Sequence, residues 1–251
     1  MTKFWNKHKK TILISLSSFV LIIFLMLANL FSNLIIPSNA PSESISAPAY
    51  EIHLISLSKS QVKKEAQEHA KDFQTIGAGG YVWENGGYYH IISSAYLNKN
   101  DAALVQNNIR LNHNLDTELL TINLKGYTLY GNFESEETKV LNKILLSCME
   151  FYTTVYDVAI SLDTGVYGET SAKLNVNSAI NNLSTNIANF KTLFSSPLPE
   201  NLQPIERLMK DAFAIGQKLS TIEKENSEQN YPSLLKYRYT EMLRLYYDFV
   251  N

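Results

Sequence analysis

Residues 79–96 read GGYVWENGGYYHIISSAY. Asn85-Gly86 stands between two aromatic and β-branched runs, the strongest short-range hairpin signal, because both turn residues must accept positive φ. The hairpin strands are expected at 78–84 and 87–96. Working outward, 59–73 is helix-like, with Val62, Ala66, Ala70 and Phe73 at 3–4 spacing before Gly77, Gly79 and Gly80 end it. Residues 98–111 form a second helix, with Ala102, Val105 and Ile109 on one stripe. An outer strand flanks each helix. Residues 50–58, YEIHLISLS, put Ile52 and Leu54 on one side and Glu51, His53 and Ile55 on the other. Residues 118–124, ELLTINL, alternate in the same way, and 126–133 read as a turn or edge extension. The order is βαββαβ, a split βαβ arrangement. Right-handed crossovers place its first and third strands side by side at the centre. Both helices then cover one sheet face. The other face stays open unless the next helix, from residue 136 to about 162, docks on it.

Beyond residue 134 only helical periods remain. Val140, Ile144, Cys148, Phe151, Val155, Val158 and Leu162 step by fours and threes, as do Val176 to Phe194 and Ile205 to Ile222. Leu235, Met242, Leu245 and Phe249 make a looser fourth stripe. Gly165 and Gly168, Pro197 and Pro199, and the polar run before Pro232 separate the four. Short connections favour an antiparallel four-helix bundle.

The N-terminus has a different character. Residues 11–31, TILISLSSFVLIIFLMLANLF, carry no charge, and about 20 apolar residues suffice to cross a bilayer. Lys3, Lys7, Lys9 and Lys10 precede this run, and no Lys or Arg follows until Lys59. The positive-inside rule puts the N-terminus in the cytoplasm and the bulk of the chain outside. A cleaved signal peptide ending near Ser38-Asn39-Ala40 is the competing reading, but the apolar run exceeds the usual core of about 7–15 residues. Residues 37–49, PSNAPSESISAPA, read as a linker. The expected architecture is therefore α+β. It comprises a cytoplasmic tail (1–10), a transmembrane helix (11–36), a linker (37–49), a βαββαβ ferredoxin-like domain (50–133) and an all-α antiparallel helical bundle (134–251).

Composition excludes several function classes. The net charge of -2 does not suit a polyanion binder. One cysteine, Cys148, rules out a disulfide framework and reads as a small core residue. The chain has no HExxH, GxSxG, P-loop, CxxC or GxGxxG. No enzyme, cofactor or metal is expected. On the period-2 reading His53 and His90 share the open face of adjacent strands. There they make a polar binding surface, with a two-histidine metal site as the minor alternative. Tyr81, Trp83, Tyr88, Tyr89 and Tyr96 cluster around the hairpin. Rings with a polar handle suit flat amphipathic ligands such as sugars, or else they build the core of a small sheet.

These residues carry a resemblance. Residues 50–124 resemble a SPOR domain, the peptidoglycan-binding module of bacterial division and sporulation proteins. Ile52-His53-Leu54-Ile55-Ser56-Leu57-Ser58 falls on the family's first strand, and Tyr89-His90-Ile91-Ile92-Ser93-Ser94-Ala95-Tyr96 with Asp101-Ala102 on its second conserved stretch. A single N-terminal membrane helix and a linker are the usual context. Here His53 stands for the family's Gln, Ile55 for its first Gly, His90 for its Arg and Ser94 for its second Gly. The resemblance implies binding of peptide-stripped septal glycan strands on the sheet face. It places His53, His90, Ile92 and Ser94 on that face, with Tyr88 and Tyr96 beside it. The expected partners are peptidoglycan glycan strands, the membrane and, for the bundle, an envelope or division protein. Nucleic acid is not expected, because the strands hold almost no Lys or Arg. The alternative is a membrane-anchored scaffold whose sheet domain binds no glycan and whose bundle engages a protein.

Overall fold

The computed structural model describes residues 44–194, 197–220 and 231–251. The expected cytoplasmic tail, the membrane helix and residues 37–43 of the linker lie outside the described residues. Among those described, no helix is long and apolar enough to cross a membrane. In chain order the elements are β1 (Ser44–Ala47), β2 (Tyr50–Ser60), α1 (Lys63–Thr75), β3 (Tyr81–Asn85), β4 (Tyr88–Tyr96), α2 (Lys99–His113), β5 (Glu118–Leu124) and β6 (Tyr127–Tyr130). The helices α3 (Ser135–Asp163), α4 (Glu169–Leu193), α5 (Gln203–Ser220) and α6 (Tyr231–Val250) follow. The architecture is α+β with two antiparallel sheets and a helical C-terminal part.

Local chemistry explains the boundaries. Asn85 pairs with Tyr88, so the central turn residues are Gly86 and Gly87, one position later than expected. Both have positive φ (58° and 78°), the requirement of a primed hairpin turn, which glycine meets without a Cβ clash. The Asn98 side chain caps α2, accepting from the Asn100 N–H at 2.8 Å. Glu137 folds back at the start of α3 and accepts from the Glu134 N–H at 2.8 Å, half of a capping box. Pro232 sits in the first turn of α6, where its missing N–H costs nothing.

The main sheet has the strand order β3-β4-β2-β5, with β2 and β4 adjacent at its centre as the crossover rule required. The linker reading fails at its end. Residues 44–47 form β1, which pairs with β6 in a separate two-stranded sheet. Ile45 and Ala47 are buried while Ser44 and Ser46 are exposed, an alternation too short to stand out beside its prolines.

Two compensating bulges interrupt the β2–β4 ladder. Ile55 pairs with Ser94 and Ser56 with Ile92, which leaves Ser93 unpaired. Ser58 then pairs with Ile91, which leaves Leu57 unpaired. A one-residue slip sends a side chain to the opposite face, so even-numbered residues of β4 change sides across Ser93.

Each sheet face has a helical cover. On one, Ala66 and Ala70 of α1 pack on Ile91, and Ala102 of α2 packs on Ile55 and Tyr96. On the other, Ile52, Leu54, Trp83, Ile92, Leu120, Ile122 and Leu124 join Tyr152 of α3 and Leu235, Tyr239, Met242 and Tyr246 of α6 in one core. The expected open face is therefore covered, with α6 lying across it beside α3. The sheet and the bundle form one compact unit, from Ser42 to Asn251. They were expected as consecutive domains at residues 50–133 and 134–251, and their shared core crosses that boundary.

The loop before β3 shows how closely α6 approaches. Ser233 donates to the Ala78 carbonyl, and Lys236 Nζ donates to the Gly77 carbonyl at 3.0 Å. A Cβ on Gly79 would lie 2.9 Å from the Ser93 carbonyl oxygen and 3.1 Å from the Lys236 backbone. Only glycine fits between the sheet and the helix there.

Candidate functional site

The six residues expected to line a glycan-binding face fall into two groups on opposite faces. His53, Ser94 and Tyr96 lie on the face that carries α2. His53 is 2% exposed. Its Nδ1 is 3.1 Å from Thr121 Oγ1, and its Nε2 is 3.3 Å from the Glu51 carboxylate. Ser94 Oγ donates to the Tyr96 hydroxyl at 2.9 Å. Burial raises the Tyr96 phenol to about 12, and its ring meets Tyr156 of α3 edge-on at 5.7 Å.

Tyr88, His90 and Ile92 lie on the face that carries α3 and α6. Ile92 is fully buried in the shared core. His90 is 3% exposed, with Nδ1 3.2 Å from Ser56 Oγ, and Ser56 Oγ also donates to the Ser58 carbonyl at 3.1 Å. Tyr88 is the accessible member, at 37% exposure. Gln61 Nε2 donates to its hydroxyl at 3.4 Å, and Lys59 Nζ stands 5.3 Å from its ring centroid while pairing with Glu118 at 2.9 Å.

The expectation of a shared histidine face is thus corrected. The physical reason is the bulge at Ser93, which breaks the period-2 count between His90 and Ser94. His53 and His90 stand on opposite faces, so they form neither a joint polar surface nor a two-histidine metal site. Among the described residues no group of three His, Cys, Asp or Glu gathers at metal-binding distance. Tyr81 and Trp83 do share a face, as the period required. They belong to the core alternative, with Trp83 at 1% exposure and the Tyr81 ring edge-on to Tyr237 of α6 at 5.3 Å. Cys148 is a buried core residue of α3, its thiol pushed up to about 12 by burial.

Burial also lowers the pKa of His90 below its ordinary 6.5. The folded protein holds this imidazole neutral, whereas the unfolded chain takes up the proton near pH 6.5. The stability from His90 is therefore complete above that value and is lost as pH falls towards the depressed folded-state value. One proton limits the effect to about 1.4 kcal/mol per pH unit. Burial raises the carboxyls of Glu150 and Asp157, which contribute in the opposite sense. Comparison with His90→Gln isolates the histidine. The denaturation midpoint of the wild type is expected to drop more than that of the variant between about pH 7.5 and pH 5.5. Equal drops would remove His90 as the cause.

Sequence periodicity did not mark the open clefts of this surface. One lies between α4 and α5, lined by Phe194, Lys191 and Arg207 among others, with a volume of about 610 Å³. Another, of about 590 Å³, runs between α1 and α6 along β3. Its α6 wall, Tyr237 and Glu241, is far in sequence from the α1 and β3 residues opposite, so no local motif could have announced it. No family model matches this chain, and neither a curated protein nor a solved structure matches it.

Proposed function

We propose that this chain is a non-enzymatic, membrane-anchored envelope scaffold, built on a SPOR-like, ferredoxin-like βαββαβ frame that does not use its sheet face for glycan. In this reading residues 11–36 anchor the chain, the N-terminus is cytoplasmic, and the unit from Ser42 to Asn251 works outside the membrane as a protein-binding body. One observation carries the choice over the glycan-binding alternative. The sheet face that would receive a glycan strand is filled by α6 and α3, and five of the six candidate residues are buried or largely so. Uncovering the face would expose seven apolar side chains. At about 1.5–3 kcal/mol each, this costs roughly 10–20 kcal/mol, more than a polysaccharide contact on a polar surface returns.

The burial of the Ser56–His90 contact is in keeping with the non-enzymatic part. Ser56 and His90 are in contact, but both are buried at 3% exposure or less, and the Ser56 proton is engaged by the Ser58 carbonyl.

The test is co-sedimentation of the full chain, in detergent micelles, with purified sacculi before and after amidase removal of stem peptides. The scaffold reading expects no pelleting in either case, and none in His53→Ala with His90→Ala. Pelleting that rises after amidase treatment and disappears in the double variant would replace it with the glycan reading.

A further inference from the structure

The cleft between α1 and α6 runs along the outer edge of β3, with Gly80, Tyr81 and Val82 among its lining residues. Its volume of about 590 Å³ is within the range of ligand-binding clefts. β3 is a terminal strand, so its outer edge pairs with no strand among the described residues. The Glu84 carbonyl accepts from Arg244 Nη1 of α6 at 3.2 Å, which shows that the backbone groups at this position point away from β4. Alternation along an antiparallel strand gives the Val82 N–H and C=O the same outward direction, into the cleft. An outward donor and acceptor on a strand edge, between two helical rails, is the arrangement that accepts an additional extended chain.

The charge of the cleft selects that chain. Lys63, Gln67 and Lys71 follow at intervals of four along α1 and form one stripe on its wall. Neither Lys63 nor Lys71 is paired with a carboxylate among the described residues, whereas the acidic groups of the cleft are engaged. Glu68 is 3.9 Å from Lys64, and Glu241 is 2.7 Å from Arg238 and 3.5 Å from Lys218. The uncompensated charge is positive. Lys63 and Lys71 are about 12 Å apart along the helix axis, and residues i and i+4 of a strand are about 13 Å apart on one face.

We propose that this cleft binds an extended acidic segment of a protein partner, which adds to the outer edge of β3 and sets carboxylates four residues apart over Lys63 and Lys71. The proposal rests on the scaffold reading and names its docking site.

The test is fluorescence anisotropy of the full chain in detergent micelles with labelled Glu-Val-Thr-Val-Glu-Val-Thr-Gly. Two further probes are the same peptide with Lys for Glu and the acidic peptide N-methylated at alternate backbone positions. Binding of the acidic peptide alone is expected. Lys63→Glu with Lys71→Glu, both on the exposed surface of α1, should weaken it by about tenfold or more and admit the Lys peptide. N-methylation should weaken it at least as much, because it removes the strand-forming donors. The proposal is overturned by failure of the acidic peptide to bind, or by binding indifferent to charge reversal or to N-methylation. Purified peptide-free glycan strands that compete for the cleft and lose affinity in the double Lys variant would also overturn it, in favour of carbohydrate. Sacculus pelleting separates the two claims. A chain that neither pellets nor binds the acidic peptide loses the cleft assignment and keeps the scaffold reading, while a chain that pellets after amidase treatment loses the scaffold reading itself.

Discussion

A chain ending before Tyr231 is expected to lose the folded sheet, not only the fourth helix of the bundle. Leu234, Leu235, Tyr239, Met242, Leu243 and Tyr246 of α6 are all buried. Forfeiting six such burials at about 1.5–3 kcal/mol each removes roughly 9–18 kcal/mol, an upper estimate that matches or exceeds the 5–15 kcal/mol net stability of a typical domain. The loss falls on the sheet directly. The Tyr239 hydroxyl accepts from the Ala95 N–H at 3.4 Å, Tyr246 meets Tyr50 at 6.5 Å, and Phe249 packs on Tyr127 at 4.5 Å. Without α6, the apolar face of Ile52, Leu54, Trp83 and Ile92 would stand in water. Amide hydrogen exchange of β2 and β4 in the truncated chain measures this. Exchange at unfolded rates is expected, and native-like protection would mean that the sheet folds without α6.

Trp83→Ala is expected to destabilise the protein by about 3–5 kcal/mol, the usual cost of deleting a fully buried large aromatic. Trp83 is 1% exposed and touches α6 on two sides. The Tyr247 ring stands edge-on at 5.7 Å, and the Arg244 guanidinium lies 5.1 Å from the indole centroid. Arg244 also donates to the carbonyl of Glu84, so the indole helps to hold the group that seals part of the β3 edge. A double-mutant cycle with Tyr247→Ala should show a coupling of about 0.5–1.5 kcal/mol. A loss below about 1 kcal/mol in urea denaturation would place the indole outside a packed interface.

Much of the fold was legible where patterns are local. The strand at 118–124 is found at its expected limits, the hairpin is displaced by one residue, and the four long helices follow the breakers. What period-2 counting missed depended on residues distant in sequence. Ser93 looks like any strand residue, yet its bulge exchanges the faces of Ser94 and Tyr96 relative to His90 and Ile92. Every site assignment downstream of it inherited the error. The covered sheet face did leave a trace. Ile52 to Leu57 and Ile91 to Tyr96 are buried at every position, a continuous run that belongs to a strand packed on both sides. The last helix gave the matching signal. Its looser stripe, with Tyr237, Tyr239, Leu243, Tyr246 and Tyr247 spread around the axis, belongs to a helix that packs against a sheet and a bundle together. Of the candidate site, residue types were legible and directions were not.

The most direct test of a single core shared by sheet and bundle is the cooperativity of its loss. Trp5 and Trp83 are the only tryptophans, so in a Trp5→Phe background fluorescence reports the sheet through Trp83, while circular dichroism at about 222 nm reports the helices. A urea titration followed by both signals is predicted to give coincident transitions with one midpoint. Separate midpoints, with the sheet or the helices persisting alone, would contradict a shared core and return the sheet face to solvent.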